Sequence, residues 1–178
     1  MSLAVIRSIA RVALVAVMVI LVGALAAACG DGGGELTLEE FFRELEAIDD
    51  EFEAEAAALE PQFQVLTADT TVAEVLPLLR AQSDLIEGFV DEIEDLKAPE
   101  EAQAIQDEAV IAGREVVETF DGLMEGAENV GTLEELITIF DEDAAFTAAD
   151  DRFTQACLDA EQLAADNSIT VDLNCNDE

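Results

Sequence analysis

Residues 37–45 read Thr-Leu-Glu-Glu-Phe-Phe-Arg-Glu-Leu, and residues 132–140 read Thr-Leu-Glu-Glu-Leu-Ile-Thr-Ile-Phe. Each stretch opens on a threonine with a glutamate three residues later, the reciprocal capping pattern that satisfies the free N–H groups at a helix start. In each, the apolar residues then recur at intervals of three and four, the period of one helix face. Thr71-Val72-Ala73-Glu74 carries the same start signal. Pro99 with Glu100 and Glu101 supplies a fourth, proline at the first helical position and acids in the first turn.

Four apolar stripes follow these starts. The first runs from Leu38 through Phe41, Phe42, Leu45, Ile48 and Phe52 to Leu59, and the second from Val72 through Val75, Leu79, Phe89 and Ile93 to Leu96. The third runs from Ile105 through Ala112, Val116 and Phe120 to Ala127, and the fourth from Leu133 through Phe140, Ala149, Phe153 and Ala160 to Leu163. The spacing predicts an all-α domain over residues 36–167. Short turns at Lys97-Ala98-Pro99 and Asn129-Val130-Gly131, with a longer link over 61–70 opened by Pro61, predict an antiparallel up-down-up-down four-helix bundle. Phe63 and Val65 of that link are expected to cover one end of the bundle. Pro77 should kink the second helix or loosen its first turn. The two Thr-Leu-Glu-Glu starts suggest a duplicated hairpin, but shared capping chemistry accounts for them equally well.

Composition narrows the function. The 178 residues hold 42 acids and 7 bases, a formal net charge of −35, with no histidine, tryptophan or tyrosine. Duplex binding depends on cationic side chains neutralising phosphates, so a nucleic-acid partner is excluded, as is electrostatic attachment to anionic lipid. Without histidine, the usual zinc sites, Ser-His-Asp and Cys-His nucleophiles and Glu-x-x-His iron sites fall together.

The amino-terminal stretch has a different character. It contains Arg7 and Arg11, then an uncharged run from Val12 to Ala28, and its first acid is Asp31. A basic start, an apolar stretch and small residues before a cut site describe a secretory signal. The run falls short of the ~20 apolar residues of a membrane span. Leu25-Ala26-Ala27-Ala28-Cys29 resembles the lipobox of bacterial lipoproteins. The resemblance implies cleavage after Ala28, making 1–28 a signal peptide, and a diacylglycerol thioether on Cys29. Ala26 stands where that family favours leucine. Residues 29–35, with Gly30, Gly32, Gly33 and Gly34, then read as a flexible tether. The expected location is the extracytoplasmic face of the cell membrane, lipid-anchored.

Past Asn167, a suitable helix C-cap, the pattern alternates. Ile169, Val171, Leu173 and Cys175 share one face of an extended tail over 168–178, and Thr170, Asp172 and Asn174 the other. From Cys157 to the helix end is ~15 Å, which eight extended residues at about 3.3 Å each can retrace. With Cys29 on lipid and an oxidising compartment, Cys157 and Cys175 are expected to form a disulfide, stabilising by roughly 3 kcal/mol. In its tail and general layout the chain is also similar to small helical lipoproteins of high-GC bacteria, which implies no activity.

Carboxylate clusters are the remaining candidates for chemistry. If any held Ca²⁺ or Mg²⁺, Asp141, Asp143, Asp150 and Asp172 would be the ligands to test. Asp172, Asn174 and Asn176 have one-three-five loop spacing, but Asp177 stands where such a loop needs glycine. Consecutive acids on a helix point apart, so a solvated acidic face is the preferred reading. The 9 phenylalanines fall mostly on core stripes, leaving little for the aromatic platform of a carboxylate-pair enzyme. No catalysis and no cofactor are expected. The leading function is an acidic interaction or surface module with an unknown protein partner. The alternative is a binder of divalent cations or polycationic ligands. Gly122 and Gly126 have a spacing that permits close helix approach, although local packing is the commoner outcome in a soluble bundle. The dispersed bases are expected to pair locally, Glu39 with Arg43 and Arg114 with Glu118.

Glu40/Glu44, Glu51/Glu55, Glu87/Asp91 and Asp91/Asp95 place like charges four residues apart, each costing a few tenths of a kcal/mol until salt screens them. The thermal midpoint should therefore rise with NaCl from low to molar concentration. A midpoint flat across that range would contradict this account of the charge.

Overall fold

The computed structural model describes residues 36–67, 70–127 and 129–175, and within them every regular element is a helix. In chain order these are α1 (Leu38–Gln64), α2 (Val72–Asp95), α3 (Glu100–Ala127), α4 (Leu133–Glu142) and α5 (Ala144–Asp166). All three Thr/Glu starts are capping boxes. Glu40 Oε2 accepts from Thr37 N at 3.0 Å, Glu74 Oε2 from Thr71 N at 2.9 Å, and Glu135 Oε2 from Thr132 N at 3.2 Å. Pro99 flanks α3, its carbonyl accepting from Ala102 N and Gln103 N.

Two boundaries differ from expectation. The helix does not stop at Pro61: α1 runs through it to Gln64. Proline removes one N–H from the last turns, and that loss is tolerated where Phe63 is anchored in the core. Val65 covers nothing, being 74% exposed, and Leu66 packs inward instead. Pro77 lies inside α2, as expected. The largest change is in the fourth helix, which is two helices parted at Asp143. That residue is extended (φ −76°, ψ 108°), and its Oδ1 accepts from Phe146 N at 2.7 Å. Acids near a helix C-terminus oppose the macrodipole, while an aspartate at an N-cap complements it. The break sets Asp141 and Glu142 against the macrodipole at the end of α4, and the aspartate cap it gives α5 offsets that cost.

Two apolar clusters fill the interior. One gathers Phe41, Phe42 and Leu45 from the start of α1, Ile93 from the end of α2, Ala102 from the start of α3, and Ala160 and Ala164 from the end of α5. The other gathers Val72, Val75 and Leu79 from the start of α2, Phe120 to Ala127 from the end of α3, and Leu133, Leu136 and Phe140 of α4, with Phe63 of α1 against them. The rings of Phe52, Phe89 and Phe153 join α1, α2 and α5 between the two, at centroid separations of 4.6 and 6.2 Å. α3 is the central helix, packed on α2, on α5 and on α4, while α1 packs chiefly on α2.

The buried polar residues Gln106 and Ser83 are both hydrogen-bonded. Gln106 Nε2 donates to Ile93 O at 2.5 Å and Leu96 O at 2.8 Å at the carboxyl end of α2, where Ile93 O also accepts from Leu96 N at 3.3 Å. Ser83 Oγ donates to Asp121 Oδ1 at 2.7 Å.

The close helix approach is at Gly113. A Cβ there would lie 2.5 Å from Val90 Cγ2 and 3.2 Å from Phe153 Cε2, whereas Gly122 and Gly126 face open space. Val90 is completely buried and its branched side chain has little rotamer freedom. Gly113→Ala should therefore destabilise by about 1–3 kcal/mol through overpacking, less a helix-propensity gain of about 1 kcal/mol. Gly122→Ala should stabilise by about 0.5–1 kcal/mol. Urea denaturation of both variants checks the contrast in sign.

Candidate functional site

The chemistry-bearing side chains concentrate where the carboxyl-terminal tail meets α5 and α1. α5 ends in a Schellman turn: Ser168 N donates to Ala165 O at 3.0 Å and Ile169 N to Ala164 O at 2.9 Å, with Asn167 as C-cap. Ser168 takes φ 61°, the left-handed conformation that reverses the chain. The tail then alternates as its sequence indicates. Ile169, Val171, Leu173 and Cys175 all pack on the cluster around Phe41 and Ala160, with Leu173 6% exposed. Cys157 and Cys175 are disulfide-bonded with their Cα atoms 5.6 Å apart.

The tail does more than lie along α5. Asp172 N donates to Glu46 Oε1 at 3.4 Å, and Asn174 Nδ2 donates to Asp49 Oδ2 at 3.3 Å, both acceptors being on α1. Leu173 N donates to Glu161 Oε1 of α5 at 3.4 Å. The tail therefore bridges two helices that make little backbone contact with each other. The polar members of the alternation, Asp172 and Asn174, carry the link to α1; periodicity marked them only as outward-facing.

Asp49 is the electrostatic consequence. Half-buried under the tail, its carboxyl is pushed up to about 7 by desolvation, against the hydrogen bond from Asn174 that lowers it. The neighbouring charges of Glu53, Asp50 and Asp172 raise it further.

The four cation candidates are not brought together. Asp143 is spent as the cap of α5, and Asp141 lies exposed near the end of α4. Asp150 lies on α5, its carboxyl raised by desolvation and by the charge of Asp151. Asp172 sits on the tail, its Oδ1 accepting from Asn174 N at 3.3 Å. Among the described residues no group of three Asp, Glu or Cys side chains is arranged to hold a metal ion.

Two arginines act across helices instead of along them. Arg114 of α3 binds Asp91 and Glu94 of α2, the latter at 2.8 Å, with Glu87 at 4.0 Å. Arg152 of α5 reaches back to Glu108 and Glu115 of α3, the latter at 2.6 Å. The expected Arg114–Glu118 pair gives way to three acids on the facing helix. Arg43 pairs with the adjacent Glu44, at 3.6 Å. Arg152 holds the Glu108 carboxyl below its ordinary range by hydrogen bonding. Spacing within one helix could not reveal these contacts, because the partners lie 20 or more residues away.

The expected signal segment 1–28, the expected lipid site Cys29 and the expected tether 29–35 lie outside the described residues. Among those described, no helix is long and apolar enough to cross a membrane.

Asp49 predicts a specific pH dependence. Its carboxyl titrates near 3.8 when unfolded and at about 7 when folded, so between these values the native state holds a proton that the unfolded state has lost. Its contribution to stability is complete below the lower value and is lost as pH rises through about 7. Asp49→Asn keeps an acceptor for Asn174 and should remove this component. The variant should gain on the native protein in denaturation midpoint as pH rises from 5 to 8. An equal pH dependence in both would contradict the assignment.

No protein-family model matches the chain, and no curated protein or solved structure matches it.

Proposed function

We propose that the chain is a non-catalytic lipoprotein, an acidic helical module anchored through lipid on Cys29 at the extracytoplasmic face of the cell membrane. There it serves in interaction or surface coating. The helices of this module form an antiparallel up-down-up-down bundle in which α4 and α5 together make the fourth arm. The observation that carries the reading is Leu25-Ala26-Ala27-Ala28-Cys29, placed between an uncharged run and a glycine-rich stretch.

Three features of the folded part support it. The Cys157–Cys175 disulfide suits an oxidising compartment, where such bonds persist. The described domain starts at Leu36, whose N–H donates to Lys97 O at 3.0 Å, so the chain enters beside the turn between α2 and α3. Residues 29–35 would then hold that end within roughly 23 Å of the lipid. Finally, the ends of successive helices meet in the two apolar clusters in the alternating order that an up-down path requires.

The test is expression of the full chain in a bacterial host, followed by detergent-phase partitioning and mass spectrometry of the amino-terminal peptide. The native chain should partition with detergent and begin at Cys29 carrying the added mass of a diacylglycerol. Cys29→Ser should remain in the aqueous phase or keep its signal segment. A mature chain beginning elsewhere, or an unmodified Cys29, would overturn the reading.

A further inference from the structure

We propose that residues 168–175 form a redox-releasable strap: opening the Cys157–Cys175 disulfide frees the tail and uncovers the apolar seam between α1 and α5, while the rest of the helical core stays folded. The inference stands apart from the lipid-anchor reading, because it concerns only the carboxyl-terminal end of the domain.

The placement of the tail carries the argument. It fills a seam between two helices that make little backbone contact of their own, and beneath it lie Phe41, Phe42, Leu45, Ala160 and Ala164. Apart from the disulfide, its attachment is slight. Leu173 alone is buried, Ile169 and Val171 are partly so, and beyond the Schellman turn at Ser168 and Ile169 the tail's bonds to Glu46 and Glu161 are long at 3.4 Å each and that to Asp49 is 3.3 Å. Bonds at that distance lie beyond the range in which N–H···O interactions are strongest. Electrostatics oppose docking, because Asp172 is brought against Glu46 of α1 and its charge acts on the Asp49 carboxyl. The covalent link is therefore the decisive restraint on this segment.

The rest of the core does not rely on it. The cluster of Val72, Leu79, Phe120, Met124, Leu136 and Phe140 contains no tail residue, and Arg114 and Arg152 tie α2 to α3 and α3 to α5 independently. Cys157 and Cys175 are both only half-buried, and thiol–disulfide exchange depends on access to one of their sulfurs. The reductant is a dithiol. One of its thiolates attacks a cystine sulfur, forming a mixed disulfide and expelling the other protein sulfur, which takes up a proton. The second thiol of the reductant then displaces the remaining protein thiol. Two electrons and two protons pass to the protein, and the reductant leaves as its own disulfide.

Hydrogen exchange followed by mass spectrometry tests this on the purified chain. The oxidised form is compared with protein reduced by excess dithiothreitol and capped with iodoacetamide, and with the Cys157→Ser/Cys175→Ser double variant. Reduction should abolish protection over residues 168–175 and raise exchange at the start of α1 and the end of α5. Segments 72–90, 112–127 and 133–140 should keep their protection, and uncapped protein should recover the oxidised pattern on reoxidation. Should the double variant fail to accumulate, the reduced native chain alone decides. Unchanged protection of 168–175 after reduction would overturn the proposal. So would loss of protection through α2 and α3, since the disulfide would then hold the whole fold and not a strap.

Discussion

Repulsion among carboxylates is the constraint to which the rest of this structure answers. With 42 acids and 7 bases, any arrangement that brings helix faces together concentrates negative charge along the seams. α3 lies centrally, against α2 and α5, and it is on these two seams that arginines are placed. Arg114 draws together Glu87, Asp91 and Glu94 of α2, two of which would otherwise repel at four-residue spacing. Arg152 does the same for Glu108 and Glu115 from the other side. Each guanidinium offers several donors in a rigid fork, so one cation can satisfy several carboxylates, which an ammonium does less well. These pairs are substantially exposed, and their worth lies in relieving repulsion at the seams more than in any large gain of their own.

The seam between α1 and α5 has no such cation in the structure described. The tail occupies it, bringing apolar side chains on one face and amide donors on the other. Its donors meet Glu46, Asp49 and Glu161, so backbone and asparagine N–H groups take the part that arginine plays elsewhere. Asp172 comes with them, and the Asp49 carboxyl is raised first by its burial and then by the charges of Glu53, Asp50 and Asp172. A disulfide at the end of the segment is the physical counterweight, since it limits the freedom that the tail would regain on leaving.

Much of the fold was legible in the sequence because it is decided within one turn of helix. A threonine and a glutamate three residues apart can satisfy each other only at a helix start, so Thr37, Thr71 and Thr132 marked their helices correctly. The tail was legible for the same reason: a period of two from Ile169 to Cys175 lets one face be buried, and Cys175 falls on it, opposite Cys157 of α5. The break at Asp143 had a signal, an aspartate three residues before Phe146. It was hidden by an apolar period that runs unbroken across it from Leu133 to Phe153. Pro61 misled in the opposite way, because a helix stop read from proline alone ignores the anchoring of Phe63 beyond it.

The sequence by itself determined the helical class, the starts of α1 to α4, the apolar faces and the pairing of Cys157 with Cys175, since each rests on hydrogen bonds, periodicity or chain reach along one stretch of polypeptide. Only the tertiary structure decided which acids Arg114 and Arg152 would hold, that Gly113 and not Gly122 or Gly126 would be the point of closest helix approach, and that Asn174 would reach Asp49 across 125 residues of chain. Those contacts depend on how helices are rotated and spaced against one another. That rotation is set by the summed packing of whole faces, and no local pattern encodes it.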